Sequence, residues 1–330
     1  MKKSKRKSLQ NRSILELLDK TATAYKNVTE KKANENNSVK TLMQLFQILL
    51  SDINFYRKEL LAGGNDEDLH QFRIACRRSV VLMGEFKFLY KDKEKRLLEH
   101  RTGLKNLISI SNAKRDMDVL TSELAKIEVP LYHDVLDLLK ERVEKIVQIE
   151  HDTIMDYLES ESCTNVLMAW KNYITDMNRT NISIYGKYPI DALSKYVIFQ
   201  RFLKIKKQIK LLDPKHDASE TLHKLRIEYK KMRYLLESFG YLYEKKEIKK
   251  PLKEIKKLQD VLGDFHDAQQ QKMIFEGLLE SQEDEKVCAF ITEVLISRVK
   301  TYQKKEIATI QKHLDRFLKR KKAYRKLFTS

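Results

Sequence analysis

The stretch Leu69-His70-Gln71-Phe72-Arg73-Ile74-Ala75-Cys76-Arg77-Arg78 returns 153 residues later as Leu222-His223-Lys224-Leu225-Arg226-Ile227-Glu228-Tyr229-Lys230-Lys231. The same shift carries Phe86 onto Phe239. A second match, Leu107 to Asp116 against Leu258 to Asp267, runs at a shift of 151, so the connection between the two matches differs by two residues. Self-similarity at a fixed offset points to one structural plan used twice.

Each copy reads as an amphipathic helix. At about 100° per residue, with His70 at zero, Arg73 falls near 300°, Arg77 near 340° and Arg78 near 80°. Phe72, Ala75, Cys76, Met83 and Phe86 fall between about 140° and 240°. In the second copy His223, Arg226, Lys230, Lys231 and Arg233 share the cationic arc, and Leu225, Tyr229, Met232, Leu235, Leu236 and Phe239 fill the opposite one. A merely solvated face mixes signs, so that Glu and Lys meet at i and i+4. Here cations crowd one arc, and within residues 70–80 and 223–233 the one acid is Glu228, on the apolar boundary. Like charges so placed repel unless an anion lies across them. Both rows are therefore expected to face an anion.

The rest of the chain is consistent with helices. Its 330 residues contain 8 Gly and 4 Pro, too few for the many turns of a sheet protein. The 42% hydrophobic content is enough to build a core. Lys and Arg number 65 against 47 acids, for a net charge of +18, six of which sit in residues 1–12. A field of that sign concentrates nucleic acid, polyphosphate or acidic lipid. Cys76, Cys163 and Cys288 are widely spaced and suggest neither disulfides nor zinc, so reduced cytoplasm is expected. No stretch approaches the roughly 20 apolar residues of a membrane span, and Glu16, Asp19 and Lys20 interrupt any signal-like run.

The periodicity predicts an all-α chain. Residues 1–37 read as a basic tail plus a short helix over Arg12 to Lys32, residues 38–184 as the first repeat and residues 185–325 as the second. Ser38 is expected to cap the first long helix, which Gly63-Gly64 stops. Helices are further predicted over Asp66–Tyr90, Lys93–Ser111, Arg115–Ile127, Leu131–Glu159 and Thr164–Asn178. In the second half they run over Ile190–Leu212, Ala218–Tyr243, from Pro251 toward Gly263, Asp267–Glu280 and Asp284–Lys319. Tyr185 to Pro189 marks the boundary between halves.

At the repeated rows the chain resembles the CHAD family, whose loose pattern is His-x-x-Arg-(Val/Ile)-x-x-(Arg/Lys)-(Arg/Lys)-x-Arg in each of two repeats. The second copy follows it through Lys230-Lys231-Met232-Arg233-Tyr234, and the first follows it until Val80, where the family has another Arg. Downstream, Asn112-Ala-Lys114-Arg115-Asp116-Met-Asp118 and Leu262-Gly-Asp-Phe-His266-Asp267 resemble the family's Leu-Gly-x-x-Arg-Asp-x-Asp segments, with Asn112 in place of Gly and His266 in place of Arg. The resemblance spans roughly residues 38–325. It implies two four-helix bundles about a pseudo-twofold axis, with basic helices lining a shared groove or pore. It also implies inorganic polyphosphate as the partner and association with polyphosphate granules. The acidic Glu-x-Glu-x-Lys motif of the CYTH domain fused to many members is absent, so a stand-alone CHAD protein is expected.

The expected binding residues are His70, Arg73, Arg77, Arg78, Lys114, Arg115, Lys207, His223, Arg226, Lys230, Lys231 and Arg233. Lys204, Lys206 and Lys210 flank Lys207 as candidates to extend the track. Two other readings stay open. A nucleic-acid binder fits the charge, yet the arcs lack interleaved aromatics for base stacking. A polyphosphate hydrolase would draw metal ligands from Asp116, Asp118, Asp264 and Asp267, which as readily cap helices or pair with Arg. No nucleophile–base arrangement or Gly-rich phosphate loop appears, so no enzyme activity, metal or cofactor is expected.

Overall fold

Helix α1 (Ser38–Leu61) turns into α2 (Asp66–Phe86) through Gly63, whose φ of 93° only glycine adopts cheaply. The amides of Gly63 and Gly64 close the helix end by donating to the carbonyls of Leu60 and Glu59. Asn65 then caps α2. Its side chain accepts from the amides of Glu67 and Asp68, while the Asp68 carboxylate accepts from the Asn65 amide at 2.9 Å. A computed structural model describes residues 38–90, 94–177, 183–212, 219–280 and 284–329 of the chain. The predicted tail and the helix over Arg12 to Lys32 lie outside these residues.

The described elements are all helical. In the first half α2 leads through a 3-10 turn (Lys87–Leu89) to α3 (Glu94–Ile110) and α4 (Asn112–Leu124). A second 3-10 turn (Pro130–Tyr132) opens α5 (His133–Glu159), and α6 (Glu161–Asp176) follows. The second half runs from a 3-10 turn (Ile184–Lys187) through α7 (Ile190–Leu211), α8 (Ser219–Phe239), another 3-10 turn (Gly240–Leu242) and α9 (Lys245–Glu280). It closes with α10 (Glu285–Ala289), a π-helical segment (Phe290–Ile296), α11 (Ser297–Lys319) and α12 (Lys321–Thr329). No described helix is long and apolar enough to cross a membrane.

The repeat is visible in these bounds. Helices α2 and α8 are each 21 residues long and begin and end 153 residues apart, and the 3-10 turns after them keep the same offset. The face assigned to the core is buried in both. Phe72, Cys76, Met83 and Phe86 in α2, and Leu225, Tyr229, Met232, Leu236 and Phe239 in α8, are almost wholly excluded from solvent. The two helices meet where the rings of Phe86 and Phe239 stand 5.4 Å apart.

Three local expectations are corrected. Ser38 does not cap α1: it lies inside the first turn, fully buried, and its hydroxyl donates to the carbonyl of Tyr188 in the second half. Gly263 does not interrupt the helix, because α9 runs unbroken through it. Buried Leu258, Leu262 and Phe265 hold that face down, and such packing outweighs the roughly 1 kcal/mol that glycine costs a helix. The predicted final helix contains the π-helical segment, in which Phe290, Ile291 and Leu295 are buried.

The core does not divide at the sequence boundary. One apolar cluster joins Leu42, Phe46 and Trp170 of the first half to Phe202, Tyr229 and Phe317 of the second. A smaller one joins Leu120, Leu124 and Leu136 to Phe275, Phe290 and Leu295. Helices α2 and α8, with α4 and α9 beside them, are thereby held as one body, and that fixes the site.

Candidate functional site

Seven of the side chains named from sequence converge. Arg77 from α2 and Arg115 from α4 interact electrostatically with Arg226 and Lys230 from α8, and Arg73 from α2 joins them through Arg77 and Arg115. His70 joins from the first half through Arg77, Arg115 and Arg73, and His223 from the second through Arg226 and Lys230. His266 completes the group, its ring 5.0 Å from that of His223. It was legible only as the residue standing where the repeat and the family have Arg.

Burial makes this an unfavourable place for charge. Desolvation, then Arg226, Arg77 and Arg115, bring Lys230 down to about 6 from an ordinary lysine value of 10.5. Desolvation, then Arg226 and His223, bring His266 down to about 4. Arg73 falls to about 9 through burial, Arg77 and Arg115. His70 and His223 are exposed, and partial desolvation first and neighbouring cations next lower them, although Glu67 pulls His70 the other way. The compensating acids are few. Asp267 accepts from Arg115 at 3.2 Å and stands 3.7 Å from Arg226. Burial, then repulsion from Asp267, raises its repeat counterpart Asp116, against the pull of Arg115. The cluster thus holds more cationic groups than carboxylates.

The other named residues are placed differently. Lys114 is only 4% exposed, and its ammonium is held by Asp66 at 2.7 Å and Asp118 at 2.8 Å. Burial works against its charge, but those hydrogen bonds raise its pKa and commit it to tying α4 to the start of α2. Arg78 and Arg233 both donate to Glu237, at 2.9 Å and 2.7 Å, so one carboxylate joins the two rows. Lys231 pairs with Glu228 at 3.5 Å, and Lys207 is exposed on α7. None of the described ion pairs or couplings ties Lys207 to the cluster.

Arg73 also has a second role. It is 2% exposed and donates to the Ile108 carbonyl at 3.2 Å, to Asn112 Oδ1 at 2.9 Å and to the Ser111 hydroxyl. Those acceptors are the break between α3 and α4, so Arg73 fixes that break while facing the cluster. Of the candidate metal ligands, Asp118 and Asp267 are engaged by Lys114, Arg115 and Arg226. A cavity of about 540 Å³ adjoins the cluster through Asp267, with Leu124, Phe275 and Val299 in its walls and Glu123 and Asp264 beside them. Lys126 and Arg298 also line it, so its walls carry both signs of charge, unlike the cationic site.

The CHAD domain family matches residues 44–276 of the chain. Among solved structures, the crystal structure of the CHAD domain from the plant Ricinus communis is 20% identical at a TM-score of 0.70, covering 84% of this chain and 91% of that one. PptA from Streptomyces chartreusis is 11% identical at a TM-score of 0.66, covering 84% of this chain and 99% of that one. At these identities the likeness establishes the fold. None of the curated proteins compared matches the chain.

Proposed function

The chain belongs to the CHAD domain family, and from that premise we propose that it binds inorganic polyphosphate, without transforming it, in the cluster where α2 and α8 meet. The observation that carries this reading is the convergence of Arg73, Arg77 and Arg115 with Arg226 and Lys230 in a partly desolvated site with few acids. Uncompensated cations in such a place destabilise the empty protein, and a polyanion removes that cost.

Polyphosphate suits the site chemically. It is a chain of dense negative charge without bases, so its binder needs a row of cations but no stacking platform or hydrogen-bond code. Guanidinium groups of Arg77, Arg115 and Arg226 offer paired donors to phosphate oxygens, and Lys230 acts as a point charge. The nearest tyrosines to the rows, Tyr229 and Tyr234, are buried and offer no face to a nucleobase. This favours polyphosphate over nucleic acid. The proposal places the protein in the cytoplasm, at polyphosphate granules.

A competition experiment tests the reading. Bound long-chain polyphosphate is challenged with tRNA or single-stranded DNA at equal phosphate concentration, in the presence of Mg²⁺. Retention of polyphosphate with no orthophosphate released is the expected result. Displacement by nucleic acid, or release of orthophosphate, overturns it.

A further inference from the structure

The cationic row of the first half is shorter on α2 than its counterpart on α8. Along α8 one face runs Arg226, Lys230, Arg233 and Glu237. The corresponding face of α2 runs Arg73, Arg77, Val80 and Gly84, so a buried Val80 stands where α8 carries Arg233. A neighbouring helix crosses that place. Arg101 of α3 donates from Nε to the Val80 carbonyl at 3.0 Å. Its Nε, Nη2 and Cζ would lie 3.1, 3.3 and 3.4 Å from a Cβ on residue 84. The missing side chain at Gly84 therefore lets the guanidinium lie flat against α2. Among the described residues, no hydrogen bond or ion pair engages the terminal nitrogens of Arg101.

Lys105 lies one turn along α3 from Arg101, and it is exposed. Arg101 first, then partial burial and Lys231 of the other half, lower its pKa. Lys204 of α7 also feels Lys231, after burial and Arg201. The acids in this quarter, Glu85 and Glu228, are held by the buried guanidinium of Arg201, and Glu228 also reaches Lys231. Cations of three helices from both halves thus gather beyond the end of the central cluster.

We propose that Arg101 takes the place of the guanidinium that α2 lacks at Val80, and that Arg101, Lys105, Lys231 and Lys204 form an outer segment of the polyphosphate track, engaged by chains too long for the central cluster alone. The inference rests on the polyphosphate reading and adds to it a chain-length determinant drawn mainly from α3.

Binding of tripolyphosphate and of long-chain polyphosphate is measured over a salt series for the wild type, Lys105→Ala, Arg101→Ala, the double variant, and Arg101→Ala combined with Val80→Arg. Each single substitution is expected to weaken long-chain binding about 3- to 10-fold, and the double variant to flatten the salt slope by about 2. Tripolyphosphate affinity stays within about twofold of wild type, and Val80→Arg restores long-chain affinity to Arg101→Ala. Lys105 is exposed, so its variant reads the outer segment without a folding defect. Wild-type long-chain affinity and slope in Lys105→Ala and the double variant overturn the inference, as does an equal loss of both probes in Lys105→Ala. A wild type that binds neither probe overturns the underlying polyphosphate reading instead.

Discussion

Helices α2 and α8 carry the same motif at the same length, yet they use its first arginine differently. In α8, Arg226 faces the cluster and stands 3.7 Å from Asp267, with an unbroken α9 beside it. In α2, Arg73 donates to Ile108, Ser111 and Asn112, where the corresponding stretch of chain breaks into α3 and α4. The positions matching Ser111 and Asn112 are Leu262 and Gly263, which offer no side-chain acceptor. One repeat has turned a motif arginine into a clamp on a helix break, and the other has left it facing the cationic cluster. Duplicated residues can therefore keep their place in the fold while dividing their work.

Removing the arginine from each helix is the sharpest way to break this comparison. Arg73→Ala takes a buried charged donor away from three acceptors of the break, of which the Ile108 carbonyl keeps the Ser111 hydroxyl, and is expected to cost about 3–5 kcal/mol of stability, read by chemical denaturation. Arg226→Ala should cost clearly less, and equal losses would dissolve the distinction. Binding should divide the other way. Arg226→Gln with Lys230→Met on α8 is expected to weaken polyphosphate about 100-fold, or about 2.7 kcal/mol, whereas His70→Gln with Arg77→Gln on α2 weakens it less. Titration calorimetry of the two pairs decides the order.

A smaller effect follows at the break itself. Asn112→Gly makes the first copy resemble the second at that position and removes one acceptor of Arg73, for an expected loss of about 1 kcal/mol in denaturant unfolding. An unchanged midpoint would mean that Ser111 and Ile108 suffice. The smallest signal is a proton count. Burial first and then Arg226, Arg77 and Arg115 bring Lys230 down to about 6, against 10.5 for an unperturbed lysine. A bound polyanion raises that value, so binding at pH 7.5 should take up about one proton and weaken as pH rises further. Calorimetry in buffers of different ionisation enthalpy measures the uptake, which Lys230→Met should abolish. The same depression means the unfolded chain holds more protons between those two values. The Lys230 contribution to stability therefore rises with pH across that window and is least below about 6.

Much of this was legible in the sequence because it rests on short-range periodicity. The apolar arc of the motif predicted the buried faces of α2 and α8, and Gly63 predicted the turn between α1 and α2. The continuity of α9 was not legible, because a lone glycine reads as a stop and only tertiary packing of Leu258, Leu262 and Phe265 overrides it. The joining of both halves in one core depends on long-range contacts such as Phe86 with Phe239, which no local pattern encodes. Within the site, charge and repeat register found the cations but not their partners. Asp118, four residues after Lys114, was a readable clue to an internal ion pair, whereas Glu237 lies 159 residues from Arg78 in sequence. His266 could have been named from its alignment with Arg115. Arg101 was hidden because its role appears only where α3 crosses Gly84.

The claim that one cluster drawn from both helices binds polyphosphate is tested most directly by titration calorimetry of the long chain. Wild type is compared with a variant carrying His70→Gln, Arg77→Gln, His223→Gln, Arg226→Gln and Lys230→Met, with Arg73 kept so that the helix break stays clamped. Loss of measurable binding in a variant that still unfolds cooperatively is the predicted result. Equal affinity for the two proteins would contradict it.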